Sequence, residues 1–113
     1  MKEKIKVAIY GLGGIGKELV RDFSEREDIE IAGVICRNPK QIGRDIGILS
    51  DMERELGVIV TANQTKEQDL YEAVKIDVLI HCAGANNAAG TFEQIRTALE
   101  HGINVITANV GTT

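Results

Sequence analysis

The chain of 113 residues has no tryptophan and contains only two tyrosines, two phenylalanines, two cysteines and one proline. So few aromatic side chains provide little surface for stacking unpaired bases. A formal net charge of −4 provides no basic face for a nucleic-acid backbone or an anionic membrane. Two isolated cysteines, Cys36 and Cys82, form neither a disulfide framework nor a CxxC pair. The sequence therefore predicts no nucleic-acid partner and two reduced thiols that are buried or half-buried.

Long hydrophobic runs are also missing. No apolar stretch approaches the roughly 20 residues that a membrane-spanning helix needs. The charged start, Met1 to Lys4, leads into a short strand pattern and not into the apolar core of a signal peptide. We therefore expect no membrane partner and a cytoplasmic protein. A hydrophobic content of 43% in 113 residues is enough for one domain with a core that needs no crosslinks.

Glycine, in contrast, is plentiful, and its most informative cluster follows a strand pattern. The run from Lys6 to Tyr10 leads directly into Gly11-Leu-Gly-Gly-Ile-Gly16, and a helical pattern follows. Gly11 can turn off the strand, Gly13 lacks the Cβ that would keep a pyrophosphate away from the backbone, and Gly16 lets the helix pack closely. The helix N-terminus then faces the turn with unpaired N–H groups. This arrangement predicts a dinucleotide-binding turn, the alternative being a turn that serves folding alone.

Strand and helix signals alternate along the rest of the chain. The predicted strands are Lys6–Tyr10, Ile29–Ile35, Val58–Thr61, Asp77–Cys82 and Asn104–Thr107. The helix signals are the apolar spacing of Ile15, Leu19, Val20 and Phe23, and the capping boxes of Thr65 with Gln68 and of Thr91 with Gln94. The second of these helices carries Phe92, Ile95, Ala98 and Leu99, and Gly102 is placed to close it in a left-handed conformation.

Two connections complete this reading. Asn38-Pro39 predicts a turn or short helix through Gln41 and Ile42, and the segment 43–56 is a connection with one helical piece at Met52–Leu56.

This alternation predicts an α/β fold with a doubly wound parallel sheet of the Rossmann type. The predicted sheet stops after its fifth strand, whereas a complete fold of this kind has six. We therefore expect residues 1–113 to be the dinucleotide-binding domain at the N-terminus of a longer, two-domain enzyme. The exposed edge of the fifth strand would then suit homo-oligomerisation, as a hypothesis.

The residues that follow the second strand indicate which dinucleotide is bound. A carboxylate about 20 residues beyond the glycine turn would accept hydrogen bonds from a free ribose 2′-hydroxyl. That place holds Arg37 and Asn38, with Lys40 nearby. A guanidinium offers a planar fork of donors to a 2′-phosphate. The sequence therefore favours NADP over NAD, the alternative being that these are ordinary solvated charges.

The reacting end of a bound dinucleotide would lie near the loops after the fourth and fifth strands. The first of these, residues 83–90, is small and flexible in composition, with Asn86 and Asn87 as candidate polar contacts. His81 and Cys82 are adjacent on a strand, so their side chains point to opposite faces and we expect both to be packed. His101 suits the negative end of a helix dipole. The catalytic residues stay unassigned, and no metal-binding motif is visible.

The chain resembles a known family. The residues that carry the resemblance are Ile5 to Gly16, Ile42-Gly-Arg-Asp-Ile-Gly47, Asp77-Val-Leu-Ile-His-Cys82, and Gln94 through Gly102 to Thr107. Together they are similar to the N-terminal domain of the dihydrodipicolinate reductase-like dehydrogenases, and within them to the 2,4-diaminopentanoate dehydrogenases. The resemblance implies hydride transfer at a carbon bearing nitrogen. The substrate would be a small amino acid, diamino acid or cyclic imine, bound mainly by a C-terminal domain.

The same resemblance implies roles for individual residues. The pyrophosphate would be held by Gly11, Leu12, Gly13, Gly14, Ile15 and Gly16. Arg37 would contact the adenosine ribose, with Asn38 beside it, and Ala83 and Gly84 would lie along the nicotinamide half. One rival function uses the same turn, namely a nucleotide-sensing module of a redox repressor or an ion-channel gate. A glycine turn that binds nothing is the third alternative.

Overall fold

The computed structural model describes residues 4–36, 38–62, 75–82 and 95–107. Their strands are β1 (Ile5–Tyr10), β2 (Ile29–Cys36), β3 (Thr61–Ala62), β4 (Val78–His81) and β5 (Asn104–Thr107). The helices are α1 (Gly14–Ser24) and α2 (Ile46–Leu49), and residues 95–100 are also helical. All strand pairs are parallel, in the order β3-β2-β1-β4-β5. The predicted fold class is confirmed.

The sheet reverses its strand order between β1 and β4. From β1 the chain builds outward to β2 and β3, and it then continues on the other side of β1 with β4 and β5. Tyr10, the last residue of β1, pairs with Ile35 in β2 and with His81 in β4. The carboxyl ends of these three strands therefore meet at one edge, which is where open parallel sheets bind ligands.

The core lies on both faces of the sheet. On one face α1 packs against the strands, and the buried cluster is Val7, Ile9, Leu12, Val20, Val34, Cys36, Ile46, Val60 and Ile80. On the other face the helical residues 95–100 contribute Ala98, and the cluster is Ala8, Tyr10, Ile35, Ile76, Leu79, Ala98 and Ile103. The central strands have nearly continuous apolar sequences because they are covered on both faces.

A β-bulge in β2 sets the direction of its last side chains. The register of β1 against β2 shifts between Val7 and Ala8, so that Ala32 has no partner in the ladder. Side chains alternate along a strand, and one extra residue reverses the alternation. Ile31 before the bulge and Cys36 after it therefore pack on the same face, beneath α1. The bulge decides which side chains of β2 approach the glycine turn.

The segment after β2 differs from its predicted structure. The turn at Asn38 is confirmed, since its carbonyl accepts hydrogen bonds from the N–H of Gln41 and of Ile42. The helical piece predicted at Met52–Leu56 is wrong, because the helix in this segment is α2 at Ile46–Leu49. Its end is followed by left-handed backbone, with φ angles of 61° at Asp51 and 60° at Glu53.

The third strand was also predicted too early. The structure places β3 at Thr61–Ala62, and not at Val58–Thr61. The N–H of Val60 donates to the Arg44 carbonyl, and the Val60 carbonyl accepts from Gly43 at 3.0 Å each. Val58 likewise accepts from Ile46 at 2.9 Å. Hydrogen bonds to residues 43–46 therefore occupy backbone groups of Val58 and Val60, and the pairing with β2 begins at Thr61, opposite Ile35.

Asp45 organises this segment. Its carboxylate is 7% exposed and caps α2 by accepting from the N–H of Gly47 at 2.7 Å. The same carboxylate accepts from Leu56 at 2.9 Å and from Gly57 at 2.8 Å. Burial raises the pKa of this carboxyl, but the hydrogen bonds from Leu56, Gly47, Gly57 and Ile48 outweigh that effect, so its pKa lies below the ordinary value. Asp45 is therefore ionised in the folded chain and ties two loop stretches together.

The last described elements follow the prediction closely. Gly102 ends the helical residues 95–100 with a φ of 76°, and β5 has the predicted bounds. Leu99, predicted on the apolar face, is instead 56% exposed, while Ala98 is fully buried. Both predicted capping boxes lie outside the described residues. Among those residues no helix is long and apolar enough to cross a membrane.

Candidate dinucleotide site

The glycine turn lies at the carboxyl end of β1, where the strand order reverses. Gly11 leaves the strand with a φ of 98°, which is a conformation that favours glycine. Its N–H donates to the Ile35 carbonyl of β2 at 2.7 Å, and the Tyr10 carbonyl accepts from Cys82 after β4 at 2.8 Å. Hydrogen bonds to both neighbouring strands therefore fix the start of the turn.

The glycines of the turn differ in the space around them. A Cβ on Gly16 would overlap the Gly11 carbonyl oxygen, so this position requires the close approach of helix to strand. A Cβ on Gly13 or Gly14 would meet no atom within 4 Å beyond its chain neighbours and the backbone of α1 itself. Gly13 is exposed, with φ −89° and ψ −155°. The protein backbone alone therefore does not require glycine at position 13, whereas a ligand lying against that backbone would.

The N-terminus of α1 faces the same space. Gly13 is its N-cap residue and has no side chain with which to bond the first N–H groups. The first turn, from Gly14 to Lys17, contains no acidic residue and begins with a bond from the Lys17 N–H to the Gly13 carbonyl at 2.9 Å. Unpaired N–H groups and the positive end of the helix dipole favour an anion here.

Leu12 and Ile15 are placed differently within this turn. The Leu12 side chain is 4% exposed and belongs to the core cluster under α1. Only its backbone can therefore contact a ligand. Its carbonyl accepts a hydrogen bond from the side-chain amide of Gln41 at 3.0 Å. Ile15 is half-buried on the first turn of α1.

Two residues at this site were missed by the sequence prediction. The sequence placed Gln41 only in a turn. Its contact with Leu12 joins residues that are far apart in the chain, so no local sequence pattern predicts this contact. Cys36 was recognised only as a packed thiol, and that part of the prediction is confirmed by an exposure of 2%. Burial raises the pKa of its thiol to about 11, against the opposing effect of the N–H groups of Leu12 and Gly11. Cys36 is thus an uncharged support beneath the turn.

The end of β2 is described only in part. Arg37 lies outside the described residues. Asn38 is exposed, and its Oδ1 accepts from the Lys40 N–H at 3.0 Å, so the residues after Arg37 form a closed turn. Because Ile35 pairs with Tyr10, this turn follows the strand next to the glycine turn.

His81 and Cys82 do not form a catalytic pair. The His81 ring is fully buried and stacks on Tyr10, with ring centroids 5.1 Å apart. Cys82 is half-buried and packs against the cluster on the opposite face, and burial raises its pKa. Both side chains are packed, as predicted. His101 is exposed at the end of its helix, where Nδ1 donates to the Thr97 carbonyl at 2.8 Å.

The nicotinamide side of the candidate site falls outside the described residues. This applies to Ala83, Gly84, Asn86 and Asn87. Within the described part of the chain, no group of three or more His, Cys, Asp or Glu side chains could hold a metal ion.

Comparison with known proteins agrees with this geometry. Residues 11–113 match the family described as "Homoserine dehydrogenase, NAD binding domain". A 4-hydroxy-tetrahydrodipicolinate reductase from Gloeothece citriformis is 31% identical over 119 residues, which cover 95% of this chain and 38% of the reductase. The chain therefore spans well under half the length of that relative.

Solved structures share the fold. The structure of an amine dehydrogenase from Mycobacterium smegmatis matches with a TM-score of 0.77 and 27% identity, over 91% of this chain and 29% of that one. A Rex-family repressor matches with a TM-score of 0.71 and 22% identity, over 94% of this chain and 46% of the repressor, which is a likeness of fold alone. With its glycine turn and parallel sheet, this chain belongs to the homoserine dehydrogenase NAD-binding domain family, a group of Rossmann-type dinucleotide-binding domains.

Proposed function

We propose that this chain is the NADP-binding domain of a two-domain oxidoreductase that transfers hydride at a carbon–nitrogen centre. The observation that carries the proposal is the open backbone at Gly13 over the uncapped N-terminus of α1, at the edge where strand order reverses. A pyrophosphate fits this place by charge and by space. The residues that would hold it are Gly11, Leu12, Gly13, Gly14, Ile15 and Gly16.

The choice of NADP rests on the residues after β2. Cys36 ends this strand, and the next positions hold Arg37 and Asn38 where an acidic residue would favour NAD. Arg37 would bind the 2′-phosphate with two parallel N–H donors, and Asn38 would add a neutral donor. Neither residue would repel the phosphate as a carboxylate would.

The proposed substrate class follows the relatives. The structural neighbour with 27% identity is named an amine dehydrogenase, a name that denotes chemistry at a carbon bearing nitrogen, and the relative from Gloeothece citriformis is named a 4-hydroxy-tetrahydrodipicolinate reductase. We propose an amino acid, diamino acid or cyclic imine as substrate, with 2,4-diaminopentanoate as the specific candidate. A further domain would bind it and supply the catalytic groups. When bound, the cofactor supplies the hydride chemistry, and this chain binds and orients it, with Ala83 and Gly84 along the nicotinamide half.

A sensing module is the rival function. The Rex-family repressor supports this rival by fold alone, because its identity to this chain is 22%. No contact described around the glycine turn favours sensing over hydride transfer. The oxidoreductase proposal therefore stands ahead of it.

Calorimetric titration of the chain with NADPH and NADH tests the cofactor assignment. We expect NADPH to bind at least about tenfold more tightly, because a bidentate contact to a phosphate contributes on the order of 1.4 kcal/mol or more. Arg37→Ala should abolish that preference while NADH binding stays unchanged. Arg44→Ala is the matched control, since Arg44 is an exposed arginine seven positions along.

The outcomes separate the parts of the proposal. Equal or tighter binding of NADH by the native chain would contradict the NADP assignment and leave the dinucleotide site standing. If neither nucleotide binds, the proposed cofactor domain itself is wrong. If Arg44→Ala has the same effect as Arg37→Ala, the preference reflects general charge and not the position after β2.

A further inference from the structure

Gln41 connects the turn after β2 to the glycine turn. Its half-buried side chain donates from Nε2 to the Leu12 carbonyl at 3.0 Å. Its own backbone is fixed, because its N–H donates to the Asn38 carbonyl at 2.9 Å and its carbonyl accepts from Arg44 at 3.1 Å. The side chain therefore extends from a well-anchored turn to a specific backbone oxygen.

The oxygen that Gln41 binds belongs to an important peptide group. The carbonyl of Leu12 and the N–H of Gly13 lie in one planar trans peptide, so they point in opposite directions. A donor that holds the carbonyl toward the turn after β2 therefore directs the Gly13 N–H away from it. Gly13 has open space beside its backbone.

Glycine at position 13 places little steric restraint on this peptide. Gly13 has no Cβ to restrict rotation of the adjoining peptide. The groups on either side are anchored, since the Gly11 N–H donates to Ile35 at 2.7 Å and the Gly13 carbonyl accepts from Lys17 at 2.9 Å. Between these anchors, the described hydrogen bond to the Leu12 carbonyl comes from the Gln41 side chain.

We propose that Gln41 is a positioning residue that holds the Leu12–Gly13 peptide in the orientation that binds a dinucleotide pyrophosphate. The proposal rests on the proposed function and adds a residue to it. A preorganised N–H forms its bond to the phosphate without the cost of first ordering the peptide. Gln41 would act on the part that NADPH and NADH share, and not on the 2′-phosphate.

Gln41→Met tests the proposal, because it keeps the length of the side chain and removes the donor. We expect the variant to bind NADPH and NADH about tenfold more weakly, with the ratio of the two affinities unchanged. The melting temperature should fall by only a few degrees, as expected for one part-buried hydrogen bond. Gln41→Lys retains a donor of similar reach and should restore affinity to within about threefold of the native chain.

Ile42→Met is the matched control, since it places the same side chain one residue along, where the native side chain donates no hydrogen bond. It should bind both nucleotides with native affinity. If Gln41→Met does not fold, Gln41→Leu provides a second variant without a donor. Native affinity in a folded donor-free variant would overturn the proposal, as would a collapse of the NADPH preference or a Gln41→Lys variant as weak as Gln41→Met. Absence of binding by the native chain would instead count against the proposed function itself.

Discussion

Replacing Gly13 with alanine should leave the fold intact and weaken dinucleotide binding by about a hundredfold or more. The backbone at Gly13 has φ −89° and ψ −155°, which alanine can adopt, and the added Cβ would meet no atom within 4 Å beyond its chain neighbours. A bound pyrophosphate would be displaced from the turn. Loss of charge-assisted hydrogen bonds worth about 1.5–3 kcal/mol each corresponds to that loss of affinity.

Gly16→Ala provides the contrasting variant. Its Cβ would overlap the Gly11 carbonyl oxygen, so α1 must move away from β1. We expect a loss of about 1–3 kcal/mol in the free energy of unfolding as well as a loss of binding. Thermal melts compare the stabilities of the two variants, and NADPH titrations compare their affinities. Native affinity in Gly13→Ala would show that the open space beside Gly13 is not where the cofactor lies.

The centre of the sheet was predictable from the sequence because β1, β4 and the second half of β2 are buried on both faces. Such strands read as continuous apolar runs, and β1, β2 and β4 lie within one residue of their predicted bounds. The edge strand β5 has its predicted bounds although it is largely exposed. The helix α1 was likewise visible, because Val20 is buried and Leu19 and Phe23 pack beside it at helical spacing. In these elements the local pattern and the final packing agree.

The rest depends on contacts between residues distant in the chain. The bulge at Ala32 leaves β2 equally apolar, so only pairing with β1 reveals it. The third strand was misplaced because residues 58–60 are β-branched and apolar, yet the hydrogen bonds described for Val58 and Val60 go to residues 43–46. Gln41 and Leu12 are 29 positions apart. A single sequence therefore predicts the turn that would bind phosphate, but not the Gln41 side chain that contacts this turn.

The stretch from Gly43 to Gly47 shows the same limit. It contributed to the family resemblance, and its described contacts are structural. Asp45 caps α2 and binds the backbone at Leu56 and Gly57, and a Cβ on Gly47 would overlap the Arg54 carbonyl oxygen. The predicted helix lay later in the segment because the local sequence does not show that Asp45 is buried.

Asp45→Ala should destabilise the chain by about 3–5 kcal/mol, because it leaves three backbone N–H groups without their charged acceptor. Asp45→Asn should cost less, about 2 kcal/mol, since an amide oxygen at the Oδ1 position keeps the bonds from Gly47 and Leu56, while the amide NH2 group cannot accept from Gly57. Urea unfolding at pH 7 measures both. Asp51→Asn is the matched control, because it removes an exposed carboxylate of the same segment at a φ of 61° that asparagine tolerates.

The pH dependence distinguishes this carboxylate from a merely well-packed side chain. The folded-state pKa of Asp45 lies below the unfolded value of about 3.9, so its stabilisation is complete above that pH and is lost as the pH falls through the folded-state pKa. The stability gap between the native chain and Asp45→Asn should therefore be constant from pH 7 to about pH 5 and narrow in more acidic solution. If the stability difference between the native chain and Asp45→Asn were the same at pH 3 as at pH 7, it would come from the shape of the side chain and not from its charge. A gap absent at pH 7 would show that the three hydrogen bonds do not hold this segment in place.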